Sequence, residues 1–492
     1  MWISKPVLSS LAALFLSGLA IASSPNSIQS LIPELSPSAE VFYLTDSNWI
    51  NETIQRWTTV GEPTFFASIK PSLVSDIQTI VKFAGGNNIQ FLAMGGGHGY
   101  TTTYHSLQSG LEIDLSAFNT VSVDVVASTM TIGGGTKFRD LFQPLFSVGK
   151  EIQTGSGSCV GVVGATLGAG VGRYQGLHGL IIDALQSVDM IIANGSLITA
   201  SQTENSELFW GLRGAGFNYG IVVKATYEVH NLTNNGSVLN ADFKFAPSLN
   251  GTYFELLKSF EGKIPAPLSL FTLVIWDEVF GPVIILNAAY AGPEEEGLAI
   301  LKPFIDLQYL ERNLTQLTWD VLDSSAGFGL DAEFCITGGL HSLWAVGVAQ
   351  IHVPTHIAFF NSIISFLDQY PDARTTSYEI EFFATQAVQA VPDDATAYPY
   401  RDIAAHVMIT YGYANDNLTD TVNALADKWT AAFTATSGFD SLQVYVNYAH
   451  GTEGLSAMYS DRKLPRLLAL KREWDPKGLF SFNNPLLIGN AA

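Results

Sequence analysis

Three clusters of glycine lie between residues 95 and 173. Glycine leaves backbone N–H groups uncovered, so a phosphate group can approach them closely. A single cluster is equally well explained as a tight turn beside a packed histidine, whereas three favour a long ligand such as a dinucleotide. Neither G-x-G-x-x-G nor the P-loop signature occurs, which disfavours a nicotinamide or nucleoside-triphosphate site. The clusters are Gly95-Gly96-Gly97-His98-Gly99-Tyr100, then Gly155-Ser156-Gly157-Ser158-Cys159-Val160-Gly161 with Gly164, and Gly168 to Arg173.

The chain contains two cysteines, Cys159 and Cys335. They are too few for a disulfide framework or a four-cysteine zinc site. In an oxidising compartment they either pair or remain apart, which leaves one free for chemistry. Gly157 to Gly161 also fits G-x-C-x-G, a nucleophile elbow with cysteine in place of serine. His178 is the nearest downstream histidine, and no acidic partner is identifiable, so a hydrolase is a minor alternative.

Short β-branched runs separated by glycine predict strands through residues 85–220. A helix is predicted from Pro71 to Ala84, ending at Gly85-Gly86. Longer helical stretches alternate with strands in 231–440, which predicts an α+β second domain on a sheet. The last fifty residues are predicted to return to a strand and a charged helix, Leu464 to Trp474.

Size, charge and the N-terminus limit the class of protein. The 492 residues predict two or three domains. A formal net charge of −21 disfavours nucleic-acid binding. Residues 1–23 combine Lys5, an apolar run and small residues, which predicts a signal peptide and a secreted protein that does not bind a membrane after its removal. A membrane anchor is the lesser alternative. N-glycans are possible at sequons that begin at Asn51, Asn194, Asn231, Asn235, Asn250, Asn313 and Asn417.

An ordered set of motifs resembles the berberine-bridge-enzyme-like branch of the vanillyl-alcohol-oxidase flavoproteins. The resemblance covers roughly residues 40–485. Its motifs are Gly95 to Gly99, Arg173 to Asp183, Leu208 to Gly216, Gly220-Ile221-Val222, Ala397-Tyr398-Pro399-Tyr400-Arg401, Tyr445-Val446-Asn447-Tyr448 and Trp474 to Phe480.

The resemblance implies an α+β, two-domain PCMH-type FAD-binding fold. A substrate domain with an antiparallel sheet flanked by helices is inserted into the FAD domain. The boundaries are predicted at 40–230 for the first part of the FAD domain, 231–440 for the substrate domain and 441–485 for the returning segment.

The resemblance also assigns cofactor-binding residues. His98 is expected to bond covalently to the flavin 8-methyl carbon, since neutral imidazole is nucleophilic. Many relatives add a second bond from a cysteine, but Gly157 holds that position here and Cys159 lies two residues later. Attachment through His98 alone is favoured, and a Cys159 bond stays open. The other implied residues are Gly95, Gly96, Gly97, Gly99, Tyr100, Gly155, Ser156, Gly157, Gly161, Gly164, Gly220, Ile221, Val222, Tyr445 and Asn447.

Removal of a substrate proton needs a base beside the flavin. Tyr445-x-x-Tyr448 resembles the pair in carbohydrate-oxidising relatives, in which the second tyrosine is the base. A phenol with an ordinary pKa near 10 needs help from a positive charge or a hydrogen-bond acceptor. Glu379 and Glu381 share one face of a predicted strand, so either is a candidate acceptor. Gln389 is expected to line the substrate pocket.

We therefore expect a secreted FAD-dependent oxidase that transfers hydride from an alcohol or similar carbon of a small molecule to flavin N5, with O2 as acceptor. A flavin-containing cyclase or isomerase without net redox is the alternative. A binding protein with a vestigial flavin site is a third hypothesis. No metal site is expected.

Overall fold

The computed structural model describes residues 25–487, and two sheets form before residue 231. The strands are β1 (Glu40–Tyr43), β2 (Phe65–Lys70), β3 (Phe91–Met94), β4 (Gly110–Asp114), β5 (Val121–Asp124), β6 (Thr129–Gly133), β7 (Lys150–Glu151), β8 (Leu185–Ile191), β9 (Leu197–Ser201), β10 (Ile221–Glu228) and β11 (His230–Asn231). The sheets have the orders β1-β2-β4-β3 and β5-β6-β10-β8-β9, and β7 pairs with β11. The first glycine cluster follows β3 directly, so the sheet edge positions it.

A third sheet is antiparallel throughout, with the order β15-β12-β14-β13-β17-β18-β16. Its strands are β12 (Ser237–Phe245), β13 (Leu268–Asp277), β14 (Gly281–Tyr290), β15 (Glu311–Thr318), β16 (His341–Val348), β17 (Ser377–Phe383) and β18 (Ala405–Gly412). Alternation along each strand gives two faces. One face, with Leu270 and Ile380, packs under helices. The other, with Phe271 and Glu381, faces the glycine-rich part of the chain, because Ser156 reaches Glu381.

Helices surround the sheets. They are α1 (Trp49–Glu52), α2 (Val74–Asn87), α3 (Arg139–Phe146), α4 (Val162–Gly168), α5 (Gln175–His178), α6 (Ile181–Ala184), α7 (Ser206–Ala215), α8 (Asn250–Lys258), α9 (Glu294–Ile305), α10 (Leu322–Gly329), α11 (Asp331–Phe334), α12 (Val353–Gln369), α13 (Gln386–Ala390), α14 (Thr419–Thr436), α15 (Leu455–Tyr459) and α16 (Leu464–Trp474). The expected α+β fold with an antiparallel, helix-flanked sheet is confirmed. The domain boundaries at 230 and 440 stay predictions.

A buried lysine ties the final segment to the first part of the chain. Lys471 in α16 is fully buried and donates to Asp475 Oδ2 at 2.7 Å. It also donates to the carbonyl oxygens of Asn218 and Phe480, each at 2.8 Å. A buried charge with this many partners is expensive to lose, so α16 is held firmly beside the end of α7.

Two sequence-based predictions of secondary structure are wrong. The helix predicted to end at Gly85-Gly86 continues to Asn87, and Asn88 ends it in the left-handed conformation at φ 55°. Gly85 instead permits close packing, because an added Cβ would lie 3.0 Å from Leu479. The strand expected in the last fifty residues is absent from the described part, where Val446 to Tyr448 form a 3-10 turn.

The predicted signal peptide, residues 1–23, lies outside the described residues. Between residues 25 and 487, the structure contains no helix long and apolar enough to span a membrane.

Candidate active site

The first two glycine clusters meet backbone to backbone. A Cβ on Gly96 would lie 2.5 Å from the backbone nitrogen of Gly161, and one on Gly95 would lie 3.0 Å from the carbonyl oxygen of Gly134. Main chain cannot yield as a flexible side chain does, so these positions require glycine. The N–H groups of Gly95, Gly96 and Gly97 donate to no acceptor among the described residues. This cradle of uncovered donors suits an anionic group such as the pyrophosphate of FAD.

The other predicted cofactor residues are spread around this cradle. Gly220 brings the start of β10 against the end of β8, where an added Cβ would lie 2.5 Å from the Ile191 carbonyl oxygen. Ile221 and Val222 follow it in β10. Gly164 is exposed and has open space at its Cβ position. Gly220 therefore permits close packing of β10 against β8, whereas Gly164 is accessible to solvent.

His98 lies in an environment that disfavours its protonated form. Burial, together with the nearby charges of Lys137, Arg56 and Arg139, lowers the pKa of its imidazole to about 4. The ring is therefore neutral at ordinary pH. A neutral imidazole has the free electron pair that nucleophilic attack on a flavin methyl carbon requires.

Cys159 forms a disulfide with Cys335, and the described residues contain no free cysteine. The cysteine is therefore not available for a second flavin bond, which corrects that open possibility. The same bond excludes a cysteine nucleophile in the G-x-C-x-G motif. Next to it, Ser158 donates through its backbone N–H and hydroxyl to Asp331 at 2.8 and 2.5 Å. The pairing joins the loop before α4 to the segment around α11.

The segment from Phe334 to His341 continues this attachment along the loop between α1 and β2. The Trp57 indole donates to the Phe334 carbonyl oxygen at 2.8 Å, and the Thr59 N–H donates to Gly339 at 2.9 Å. The Phe334 ring covers Gly157, where an added Cβ would lie 2.4 Å from the ring. The position that holds a cysteine in many relatives therefore has no room for a side chain unless Phe334 moves.

The catalytic candidates lie on the face of the third sheet that is turned toward the glycine clusters. Strand register places Phe271, Glu381 and His406 directly opposite one another on β13, β17 and β18. One row along, Leu273 and Met408 flank Glu379. Side chains directly opposite in such a sheet lie about 5 Å apart. The two carboxylates are therefore set among mostly apolar neighbours.

The structure brings Tyr448 and Glu381 together across 67 positions of sequence. The phenol donates to Glu381 Oε2 at 2.9 Å. Burial raises the pKa of Glu381 to about 7, although the Tyr448 hydrogen bond lowers it. Burial also raises the pKa of Tyr448 well above its ordinary value, and the charge of Glu381 adds to this effect. The phenol is therefore protonated and already directed at a proton acceptor.

Glu379 has a different set of partners. Its Oε1 accepts from the Ser377 hydroxyl at 2.5 Å and from the Thr410 hydroxyl at 3.2 Å. Of the two carboxylates predicted from the sequence, Glu381 is the one that contacts Tyr448. Glu379 acts on that pair through its charge, which raises the pKa of Glu381.

Tyr445 and Asn447 connect the 3-10 turn to the second and third glycine clusters. The Tyr445 hydroxyl accepts from the Gly170 N–H at 2.9 Å and from the Asn447 amide at 2.8 Å. The Asn447 amide also donates to the Ala165 carbonyl oxygen at 2.9 Å. An added Cβ on Gly168 would collide with Asn447 at 2.3 Å. The turn that carries Tyr448 is thus fixed against the predicted cofactor loops.

Two residues near Glu381, Arg173 and His406, were not predicted from the sequence as neighbours of that carboxylate, and Gln389 lies apart from Tyr448. His406 is opposite Glu381 in the strand register, and Arg173 is close enough for its charge to lower the pKa of Glu381. The position of Arg173 at the end of the third glycine cluster could have indicated it from the sequence. His406 can be identified only from the strand register. Gln389 is exposed on α13, and the described contacts do not bring it to Tyr448.

Comparison with known proteins identifies the family. Residues 67–201 match an FAD binding domain, and residues 444–486 match a berberine and berberine-like domain. The chain is 41% identical over 466 residues to the FAD-linked oxidoreductase azaL of Aspergillus niger, covering 94% of this chain and 98% of that protein. The chain belongs to the berberine-like FAD-linked oxidoreductases. It is also 43% identical to tazG of Aspergillus terreus, with 94% and 96% covered.

Solved structures of other proteins share the fold. The Physcomitrella patens BBE-like 1 protein superposes with a TM-score of 0.82 at 22% identity, covering 94% of this chain and all of that one. The xylooligosaccharide oxidase from Myceliophthora thermophila gives 0.78 at 22% identity, with 92% and 98% covered. These superpositions show the shared fold. The FAD binding domain match and the curated relatives show that the chain is an FAD-linked oxidoreductase, and the glycine cradle fits its cofactor.

Proposed function

We propose that this oxidoreductase is an oxidase that holds FAD covalently through His98 and acts on an alcohol or a similar substrate carbon. The observation that carries the proposal is the hydrogen bond from Tyr448 to Glu381 at 2.9 Å. Bound FAD supplies the acceptor for the hydride that leaves the substrate carbon, and O2 takes the two electrons as hydrogen peroxide.

Tyr448 removes the substrate proton as a relay. Its phenol takes the proton of the substrate hydroxyl while its own proton passes to Glu381 Oε2. A free phenolate is not needed, which matters because burial and Glu381 both raise the pKa of Tyr448. Proton transfer through a positioned group contributes about 10²–10⁴-fold to rate.

His98 supports covalent attachment because its imidazole is neutral and half-buried beside the glycine cradle. If the ring bonds to the flavin 8-methyl carbon, the ring would lose its N–H proton and the methyl group would lose one proton. The two electrons released would reduce the flavin, and O2 would reoxidise it with formation of hydrogen peroxide. A second bond through Cys159 is not proposed, since that cysteine pairs with Cys335.

The neighbours of the carboxylates favour a substrate with an apolar skeleton. Phe271 and Leu273 flank Glu381 and Glu379 on one side, and Met408 flanks Glu379 on the other. Among proteins of the same fold, several are carbohydrate oxidases by name. The apolar flanks support a benzylic or aliphatic alcohol in preference to an oligosaccharide.

The test is a panel of benzylic alcohols, aliphatic alcohols and oligosaccharides with a peroxide readout, repeated without oxygen to follow loss of flavin colour. We expect peroxide from an apolar alcohol, and loss of most of that activity in Tyr448→Phe with flavin content unchanged. A compound that is converted without peroxide and without flavin reduction would replace the oxidase with a cyclase or isomerase.

We also propose that the protein is secreted after removal of residues 1–23. The Cys159–Cys335 bond supports an oxidising compartment. Asn51, Asn194, Asn235 and Asn417 are exposed sequon residues that suit N-glycans. N-terminal sequencing of protein from the culture medium, with a glycosidase mobility shift, tests both points. An intact N-terminus would contradict the processing.

A further inference from the structure

Arg173 is a buried cation that stands between the glycine-rich part of the chain and the third sheet. It is 5% exposed and follows the third glycine cluster. One Nη donates to Asn287 Oδ1 at 2.5 Å, and Nε lies 3.8 Å from Asp323 Oδ1. The guanidinium lies over the Phe271 ring, 5.6 Å from its centroid. These contacts hold the guanidinium over Phe271 in β13 of the third sheet.

This position is one strand away from Glu381. Phe271 is opposite Asn287 on one side and opposite Glu381 on the other. The cation over the Phe271 ring is therefore near the Glu381 carboxylate without forming an ion pair with it. Its charge lowers the pKa of Glu381, against the burial that raises it.

The other groups that face Glu381 do not supply a positive charge. Glu379, on the same strand, raises the pKa of Glu381. His406 on β18 is neutral, because burial lowers its pKa to about 3. Burial keeps the Tyr448 phenol protonated, and it does the same for Tyr100 and Tyr445 nearby. Ser156 approaches Glu381 at 3.5 Å and is uncharged.

We infer that Arg173 is a positioning residue that keeps the Glu381 carboxylate ionised, so that Glu381 can accept the proton from Tyr448. The inference rests on the proposed role of the Tyr448–Glu381 pair. Asp323 weakens this effect, because its carboxylate faces the same guanidinium and partly offsets the positive charge.

This arrangement predicts opposite effects for two substitutions. Replacing Arg173 removes the positive charge, so protonation of Glu381 becomes easier. Replacing Asp323 by asparagine removes one of the carboxylates that face the cation, Asp242 being another, so protonation of Glu381 becomes harder. A purely structural role for either residue would not move the same titration in opposite directions.

A measurement without substrate tests the electrostatic part alone. Infrared difference spectra of flavin-loaded protein are recorded against pH, and the carboxylic-acid carbonyl band lost in Glu381→Gln is assigned to Glu381. We expect its midpoint to rise by about one pH unit or more in Arg173→Met, since an opposite charge nearby shifts a carboxyl by ~1–3 units. We expect it to fall in Asp323→Asn and to return toward wild type in Arg173→Lys. The exposed cation variant Lys224→Met should leave it unchanged.

A second measurement tests the consequence for proton transfer. Flavin reduction without oxygen, with the alcohol identified in the panel, is followed against pH. Its acid limb should move with the infrared midpoint, upward in Arg173→Met and downward in Asp323→Asn. An infrared midpoint that does not respond to Arg173→Met overturns the inference. If the midpoint moves but no alcohol reduces the flavin, the proposed oxidase function fails and the Arg173–Glu381 coupling stands.

Discussion

Burial affects the protonation of the two ends of the site in opposite ways. At His98, burial and three nearby cations all favour the neutral, deprotonated ring. At Glu381, burial favours the protonated acid, and Arg173 counters it. Desolvation always disfavours the charged form, which is the protonated form of a histidine and the deprotonated form of a carboxyl.

This difference shows where a cation matters. The reactive state at both ends is the deprotonated one, as a nucleophile at His98 and as a proton acceptor at Glu381. Burial and the nearby cations act in the same direction at His98. Burial opposes the deprotonated state at Glu381, where the Tyr448 hydrogen bond and the Arg173 charge both counter it.

The largest expected effect is at the histidine end. His98→Ala should abolish covalent flavin, because no other nucleophile of the site is free once Cys159 is paired. Flavin that remains with the protein after acid precipitation measures the bond, and the exposed His105→Ala variant is the control. Covalent flavin that persists in His98→Ala would refute the assignment.

At the carboxylate end, the two glutamates should differ strongly. Glu381→Gln should slow flavin reduction by about 100-fold or more, since the acceptor for the Tyr448 proton is lost. Glu379→Gln should change the rate much less, because Glu379 binds Ser377 and Thr410 instead. Anaerobic rapid mixing measures both rates. Equal losses in the two variants would contradict the distinction.

Loss of the disulfide should affect stability rather than flavin attachment. Cys159→Ser with Cys335→Ser opens a closed loop of 176 positions, and we expect the free energy of unfolding to fall by about 2–4 kcal/mol. Denaturant unfolding measures the change, and mass spectrometry of the His98 peptide measures the flavin. If the variant carries less covalently bound flavin than the wild-type protein, Cys159 would be implicated in flavin attachment after all.

The smallest effect is expected from a cation beside His98. Lys137→Met should raise the pKa of His98, so covalent attachment at acid pH falls. The ring reacts when neutral, above a midpoint of about 4, and we expect that midpoint to rise by only ~0.5 pH unit. Reconstitution of flavin-free protein with FAD across pH 3–8 measures it, and Lys137→Arg is the charge-preserving control. If the His98 midpoint shifts in Lys137→Met as much as the Glu381 midpoint shifts in Arg173→Met, the expected difference between the two ends of the site would be contradicted.

Much of the fold followed from sequence pattern. Alternation in Ser377–Phe383 placed Glu379 and Glu381 on one face, and the glycine clusters indicated a cradle for an extended ligand. The wrong helix end at Gly85-Gly86 has a clear cause. Glycine ends helices by taking positive φ, but here it serves close packing against Leu479, a contact that lies almost 400 positions away in sequence.

The amino-acid sequence by itself determined the family, the cofactor class and the candidate residues. These depend on residue types and short spacings, which are local properties. Tertiary structure alone decided which carboxylate meets Tyr448, that Cys159 pairs with Cys335, and that Arg173 lies near Glu381. Those choices depend on strand register and on contacts between distant segments. Burial and neighbouring charge then set each proton equilibrium, and neither can be read from one stretch of sequence.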